Sequence, residues 1–126
     1  MPTLDPAHAA LLDTVYRAFN TRNMTAALAL MQPDVEWPSA FKGQYLHGYE
    51  ELRNFWTTQW QQLDVFVHPL DYYPLPDGRV ATRVNQLAHD AMGAVIIDNQ
   101  VTHIYQFEGS LIKRMDIKSI HFLDQL

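Results

Sequence analysis

At residue 64 the hydrophobic period of this chain changes from three-to-four residues to two, and that switch narrows the folds open to it. Before it, Leu12, Val15, Tyr16 and Phe19 follow the spacing of one helix face. Asp5 stands as a cap, with Pro6 at the first helical position, where a missing N–H costs nothing. Asn20 to Asn23 break the pattern. A short second helix is expected over Thr25 to Met31, presenting Ala27, Leu28 and Met31, with Pro33 as its stop. Val35-Glu36-Trp37 reads as a short strand ended by Pro38. Loop residues through Gly43 lead to His47-Gly48, then a third helix from about Tyr49 to Leu63. Its stripe of Leu52, Phe55, Trp56, Trp60 and Leu63 must lie on something large and flat.

After the switch, strands are expected at 65–75, 79–90, 94–107 and 111–122. Turn signals separate them at Pro76-Asp77-Gly78, Ala91-Met92-Gly93 and Gly109-Ser110. Pro69 and Pro74 make the first of these an edge or broken strand. Helices first and an antiparallel meander after give an α+β layout, with the helices covering one face of the sheet. No repeat, linker or low-complexity stretch interrupts the chain, so one domain over residues 1–126 is expected.

The last hairpin carries the chemistry. Gly109-Ser110 fits a two-residue turn with Gly at its first central position, so Glu108 should face Leu111. Counting outward, Phe107 faces Ile112, Tyr105 faces Arg114 and His103 faces Asp116. Val101, His103, Tyr105, Phe107, Ile112, Arg114 and Asp116 then share one face, largely apolar with ionisable intruders, as a pocket wall would be. The other face carries Ile104, Met115 and Ile117. A carboxylate in an apolar cavity has its pKa raised towards the range useful for a base, and an imidazole beside it can donate to a developing enolate. Arg114 would oppose that rise. The same opposition also suits a plain surface pair, and a turn longer by one residue would put Met115 opposite His103.

Composition removes other classes. A net charge of −5 with nine scattered Lys and Arg argues against nucleic acid. No run of 18 apolar residues is present, so no membrane helix is expected. The start, Met1-Pro2-Thr3-Leu4-Asp5, lacks the basic and then apolar regions of a signal peptide, which makes a cytoplasmic domain the default. With no cysteine, disulfides, thiol catalysis and thiolate metal sites are excluded. The six histidines show no helical i, i+4 pair with a carboxylate and no His-X-His, and no metal is expected, although His47 and His89 can reach a cavity that holds His103. Three Trp, six Tyr and six Phe exceed what closes a core this small. Tyr16, Trp37, Trp56, Trp60 and Tyr105 are therefore candidate ligand contacts. A three-residue turn at Ala91-Met92-Gly93 makes His89 face Val95 and adds Asn85 and His89 on the His103 face, while Gln59, Gln61 and Gln62 read as a solvated helix face.

The order of elements, with Val35-Glu36-Trp37-Pro38, His47-Gly48 and the run His103-Ile-Tyr-Gln-Phe107, Gly109, Leu111-Ile112 and Met115-Asp116, resembles the nuclear-transport-factor-2-like superfamily. The closest flavour is its SnoaL-like branch, which includes polyketide cyclases. The resemblance covers nearly the whole chain. It implies a cone-shaped curved sheet with three helices around a deep cavity, no cofactor, and a homodimer formed through the outer sheet face. It also implies Asp116 as base and His103 as its partner in proton transfer. Met115 departs from the Trp common at that place. Ketosteroid isomerases are matched less well: the place of their base Asp is Trp37, and that of their helix hydroxyl is Val15, beside Tyr16. Three functions follow as expectations: an isomerase or cyclase acting on an apolar carbonyl compound, a non-catalytic binder of an apolar ligand, or an interaction module using the Ile104, Met115 and Ile117 face.

Overall fold

The structure, a computed structural model, describes residues 3–39 and 44–120, with the side chains of residues 119 and 120 left aside. The expected loop through Gly43 and the last two residues of the expected strand 111–122 fall outside these residues. Helix α1 (Pro6–Asn20) opens as its cap requires, with Asp5 Oδ1 accepting from the Ala7 N–H at 2.9 Å. Leu12, Val15, Tyr16 and Phe19 form its buried face. Helix α2 (Met24–Leu28) is shorter than expected, because Met31 already begins strand β1 (Met31–Pro38). Pro33 therefore lies inside a strand. It falls in a stretch between Met31 and Glu36 where the ladder to the neighbouring strand is irregular, so its missing N–H breaks no bond.

Strand β2 (Tyr45–His47), which the sequence pattern did not announce, pairs with Glu36, Trp37 and Pro38 and feeds α3 (Gly48–Gln62). Gly48 sits at φ +82, and a Cβ there would stand 3.3 Å from the Pro33 carbonyl, so the turn into α3 needs glycine. Strands β3 (Asp64–Pro74), β4 (Val80–His89), β5 (Val95–Glu108) and β6 (Leu111–Ile120) form the expected meander. The sheet order is β2-β1-β6-β5-β4-β3, and β1 runs parallel to β6, so the six-stranded curved, unclosed sheet is mixed rather than purely antiparallel. No helix among the described residues is long and apolar enough to cross a membrane.

One-residue bulges bend this sheet and reset its faces. Leu70 is unpaired in β3, Ile96 in β5 and Lys113 in β6. The last turn is as expected, with Glu108 opposite Leu111 and Phe107 opposite Ile112. Beyond Lys113 the ladder slips by one: Gln106 meets Arg114, Tyr105 meets Met115, Ile104 meets Asp116 and His103 meets Ile117. The expected opposition of His103 and Asp116 is therefore not formed, and the two side chains lie on opposite faces. Ile96 acts in the same way. His89 faces Val95 as expected, but from Ala88 onward the register is shifted and Thr82 stands opposite His103.

β3 is the edge strand that its prolines indicated, and the end of α1 covers its open side. The Asn20 side chain accepts from the Val67 N–H at 2.9 Å and donates to the Val67 carbonyl at 2.7 Å, as a neighbouring strand would. Arg22 donates to the Val65 carbonyl at 2.7 Å and to Asp64 at 2.8 Å. The open-edge backbone groups of Val65 and Val67 are thus satisfied within the chain, and α1 is held against the sheet.

Candidate functional site

Where α1 and α3 face the concave side of the sheet they leave a cavity of about 260 Å³. Val15, Tyr16 and Phe19 of α1, Trp37 of β1, Phe55 and Trp56 of α3, Val65 and Val67 of β3, and Met115 of β6 give it an apolar, ring-rich wall. Trp56 holds the rings in place by edge contacts with Phe19 at 5.3 Å and Trp37 at 5.4 Å. Ile117, half exposed, lies at the rim. Gln59, Gln86, Ser39, His103, Tyr16 and Tyr105 supply the polar groups. Among the described residues, no Asp, Glu, Lys or Arg lines the cavity.

The polar centre is a chain of three side chains. Tyr105 donates its hydroxyl hydrogen to the Tyr16 oxygen at 2.6 Å, and Tyr16 lies 2.9 Å from His103 Nδ1. All three are buried. Burial pushes the His103 pKa down to about 4, so its imidazole is neutral at physiological pH. Burial likewise raises both tyrosine pKa values, keeping the hydroxyls protonated. With the Tyr16 oxygen accepting from Tyr105, its own hydrogen is free to point to Nδ1, an arrangement that puts the single imidazole proton on Nε2. Among the described residues Nε2 has no hydrogen-bond partner, and His103 lines the cavity.

Of the residues singled out from sequence, the fold brings Tyr16, Trp37, Trp56, His103 and Tyr105 to this cavity. It does not bring the others. Asp116 lies on the outer face, where Tyr45 donates to it and Arg114 donates at 3.0 and 3.3 Å. Partial burial alone would raise its pKa, but the bonds from Arg114 and Tyr45 outweigh that and hold it below the ordinary carboxylate value. Arg114 also lies 3.4 Å from Glu36 and stacks over the Tyr45 ring at 4.2 Å, so Asp116 belongs to a clamp that fastens β2 to β6. Asn85 is exposed on the outer face and accepts from Gln100, because the Ile96 bulge reverses the side it faces. His89 and Trp60 line a separate, more polar groove with Asp64 and Asp90. The Trp60 indole nitrogen is buried without a partner among the described residues, and Arg22 stands 5.4 Å from its ring.

Met115 and Ile117, expected on the outer face with Ile104, line the cavity instead. Gln86 replaces Asn85 as the polar contact from β4, and Gln59, expected in solvent, reaches the cavity from α3. No group of three or more His, Asp and Glu that could hold a metal ion occurs among the described residues.

A helix-backed curved sheet around a ring-lined cavity defines the nuclear-transport-factor-2-like class of fold, and solved structures share it. A Mycobacterium tuberculosis protein in complex with estradiol-17β-hemisuccinate superposes with a TM-score of 0.79 at 16% identity, covering 91% of this chain and 95% of that one. TerC, crystallised with polyporic acid, gives 0.77 at 18% identity over 94% and 95% of the two chains. A Pseudomonas putida protein named as a polyketide cyclase gives 0.76 at 19% identity over 92% of each chain. At these identities the likeness is one of fold. No curated protein matches the sequence. The family model of the SnoaL-like domain matches residues 12–115, and the chain belongs to that family.

The pKa of His103 sets a dependence on pH. An unfolded histidine titrates near 6.5 and the folded one near 4, so between these values the unfolded chain binds the extra proton. The contribution of neutral His103 is full above about pH 6.5 and is lost as pH falls towards 4. We expect a loss of about 3 kcal/mol across that window from this group. Denaturant unfolding of wild type and His103→Gln at pH 7 and pH 4.5 checks this: the variant should lose measurably less stability on acidification, and equal losses would contradict it.

Proposed function

We propose that the protein binds a small, uncharged, largely apolar compound and holds its carbonyl oxygen with the Nε2–H of His103, in the manner of a cyclase or isomerase that needs no cofactor. The observation that carries this reading is a buried imidazole, neutral at physiological pH and with Nε2 unpartnered among the described residues, in a cavity whose described lining holds no charged side chain. Such a wall offers a carboxylate or ammonium ligand no partner, and desolvation would penalise either one. A carbonyl needs one donor, and rings need apolar surface. Tyr16 and Tyr105 stand behind His103 and fix its ring and tautomer, while Trp37 and Trp56 supply flat apolar contact. The two ligands crystallised in TerC and in the mycobacterial protein lend support to a small-molecule pocket in this fold. The volume, about 260 Å³, lies just below the roughly 300–1,000 Å³ common for ligand sites, which favours a small ligand of one to three rings.

If the bound compound reacts, His103 is the group that would act. An N–H aimed at a carbonyl oxygen stabilises the negative charge that grows there when a proton leaves the neighbouring carbon. Asp116, on the outer face and paired with Arg114, is not the base of such a step.

A thermal-shift screen of uncharged cyclic ketones and quinones, each beside a carboxylate analogue, tests the reading. A compound at a hundred times its dissociation constant should stabilise the fold by about 2.7 kcal/mol. We expect hits among the uncharged compounds, shifts that shrink in His103→Gln, and shifts that persist in Asp116→Asn. Hits confined to carboxylates, or abolished equally by both substitutions, would contradict it.

A second copy of the chain is the partner we propose for the outer sheet face, where Phe66, Tyr73 and Leu87 are each more than a third exposed. Sedimentation equilibrium should then show a concentration-dependent dimer that Tyr73→Glu weakens. A monomer at all concentrations would end this proposal.

A further inference from the structure

The cavity wall carries another polar group whose orientation is fixed by a neighbour. Gln86 lies on β4 on the same face as Thr82 and lines the cavity. Asn99 stands directly opposite on β5, and its Oδ1 accepts from Gln86 Nε2 at 3.0 Å. That arrangement gives the Gln86 amide nitrogen to Asn99. It leaves Gln86 Oε1 as an acceptor with no hydrogen bond among the described residues, on a side chain that is only partly buried and reaches the cavity.

The register gives the spacing from His103. Thr82 is the direct partner of His103, and Gln86 is four residues further along β4 on the same face. At a rise of about 3.4 Å per residue the two positions lie roughly 14 Å apart along the sheet. A hydrogen bond of about 3 Å at each end leaves roughly 8 Å between the ligand's two polar atoms. The two ends differ in sense, with a donor at His103 and an acceptor at Gln86.

We propose that Gln86, held by Asn99, is a specificity-determining contact that reads a hydroxyl at the far end of a ligand whose carbonyl meets His103. The inference rests on the pocket reading above and deepens it. The ligand class is an uncharged, flat compound of two or three rings with a carbonyl and a hydroxyl at opposite ends. Asn99 is a positioning residue: it touches no ligand and acts by fixing the Gln86 amide.

Calorimetric titration of the full chain with 1-tetralone and 6-hydroxy-1-tetralone separates the two claims. Wild type should bind the hydroxylated compound about fivefold more tightly, the effect of one added hydrogen bond. Gln86→Leu and Gln86→Met should each bring the ratio of the two affinities to about one, and Asn99→Ala should reduce it. His103→Gln should weaken both compounds. Two Gln86 variants guard against one that fails to fold. If the preference persists in both, with 1-tetralone still dependent on His103, this inference alone is overturned. If neither compound binds wild type, the pocket reading falls and the inference with it.

Discussion

The hydroxyl of Tyr16 lies 2.9 Å from Nδ1 of His103 and accepts a hydrogen bond from Tyr105, joining the middle of α1 to two positions on β5. Three polar side chains are thereby buried together in an otherwise apolar interior, where each would be costly alone. Satisfied by one another, they fix how α1 sits over the sheet and what the cavity sees. Burial sets the ionisation of all three: the hydroxyls stay protonated and the imidazole stays neutral. Asn20 and Arg22 anchor the far end of α1 to the edge of β3, so the helix is held at both its middle and its end.

Charge is arranged by the same logic. Among the described residues, carboxylates and guanidinium groups lie outside the cavity, as in the pair of Arg83 with Asp71 and the clamp of Arg114 with Asp116 and Glu36. The clamp holds β2, and with it the hairpin that presents Trp37 to the cavity. Asp116 thus fastens a strand behind the cavity, while His103 lines the cavity itself.

Much of the fold could be read from period and punctuation. The α1 stripe, the edge character of β3 conveyed by Pro69, and the turn at Gly109-Ser110 all stand as expected. The faces of the strands could be read less well, and for one physical reason that acted twice. A single unpaired residue, Lys113 in β6 and Ile96 in β5, reverses which side the neighbouring stretch of strand presents to its partner. It moved Asp116 out of the cavity and Met115 and Ile117 into it, and it exchanged Asn85 for Gln86. A trace of this was present in the sequence. Leu111-Ile112-Lys113-Arg114 is two apolar residues followed by two cations, which breaks strict alternation at the bulge. The Tyr16–His103 bond had no such trace, because the two residues meet only through the packing of α1 on the sheet.

The account turns on His103 being neutral and protonated at Nε2. Long-range proton–nitrogen correlation spectra of the histidine side chains, recorded from pH 8 to pH 4.5, test this directly. The account predicts a His103 ring that stays neutral down to about pH 5, with Nδ1 unprotonated and Nε2 carrying the proton. A His103 ring that titrates near pH 6.5, or one protonated at Nδ1 when neutral, would contradict it.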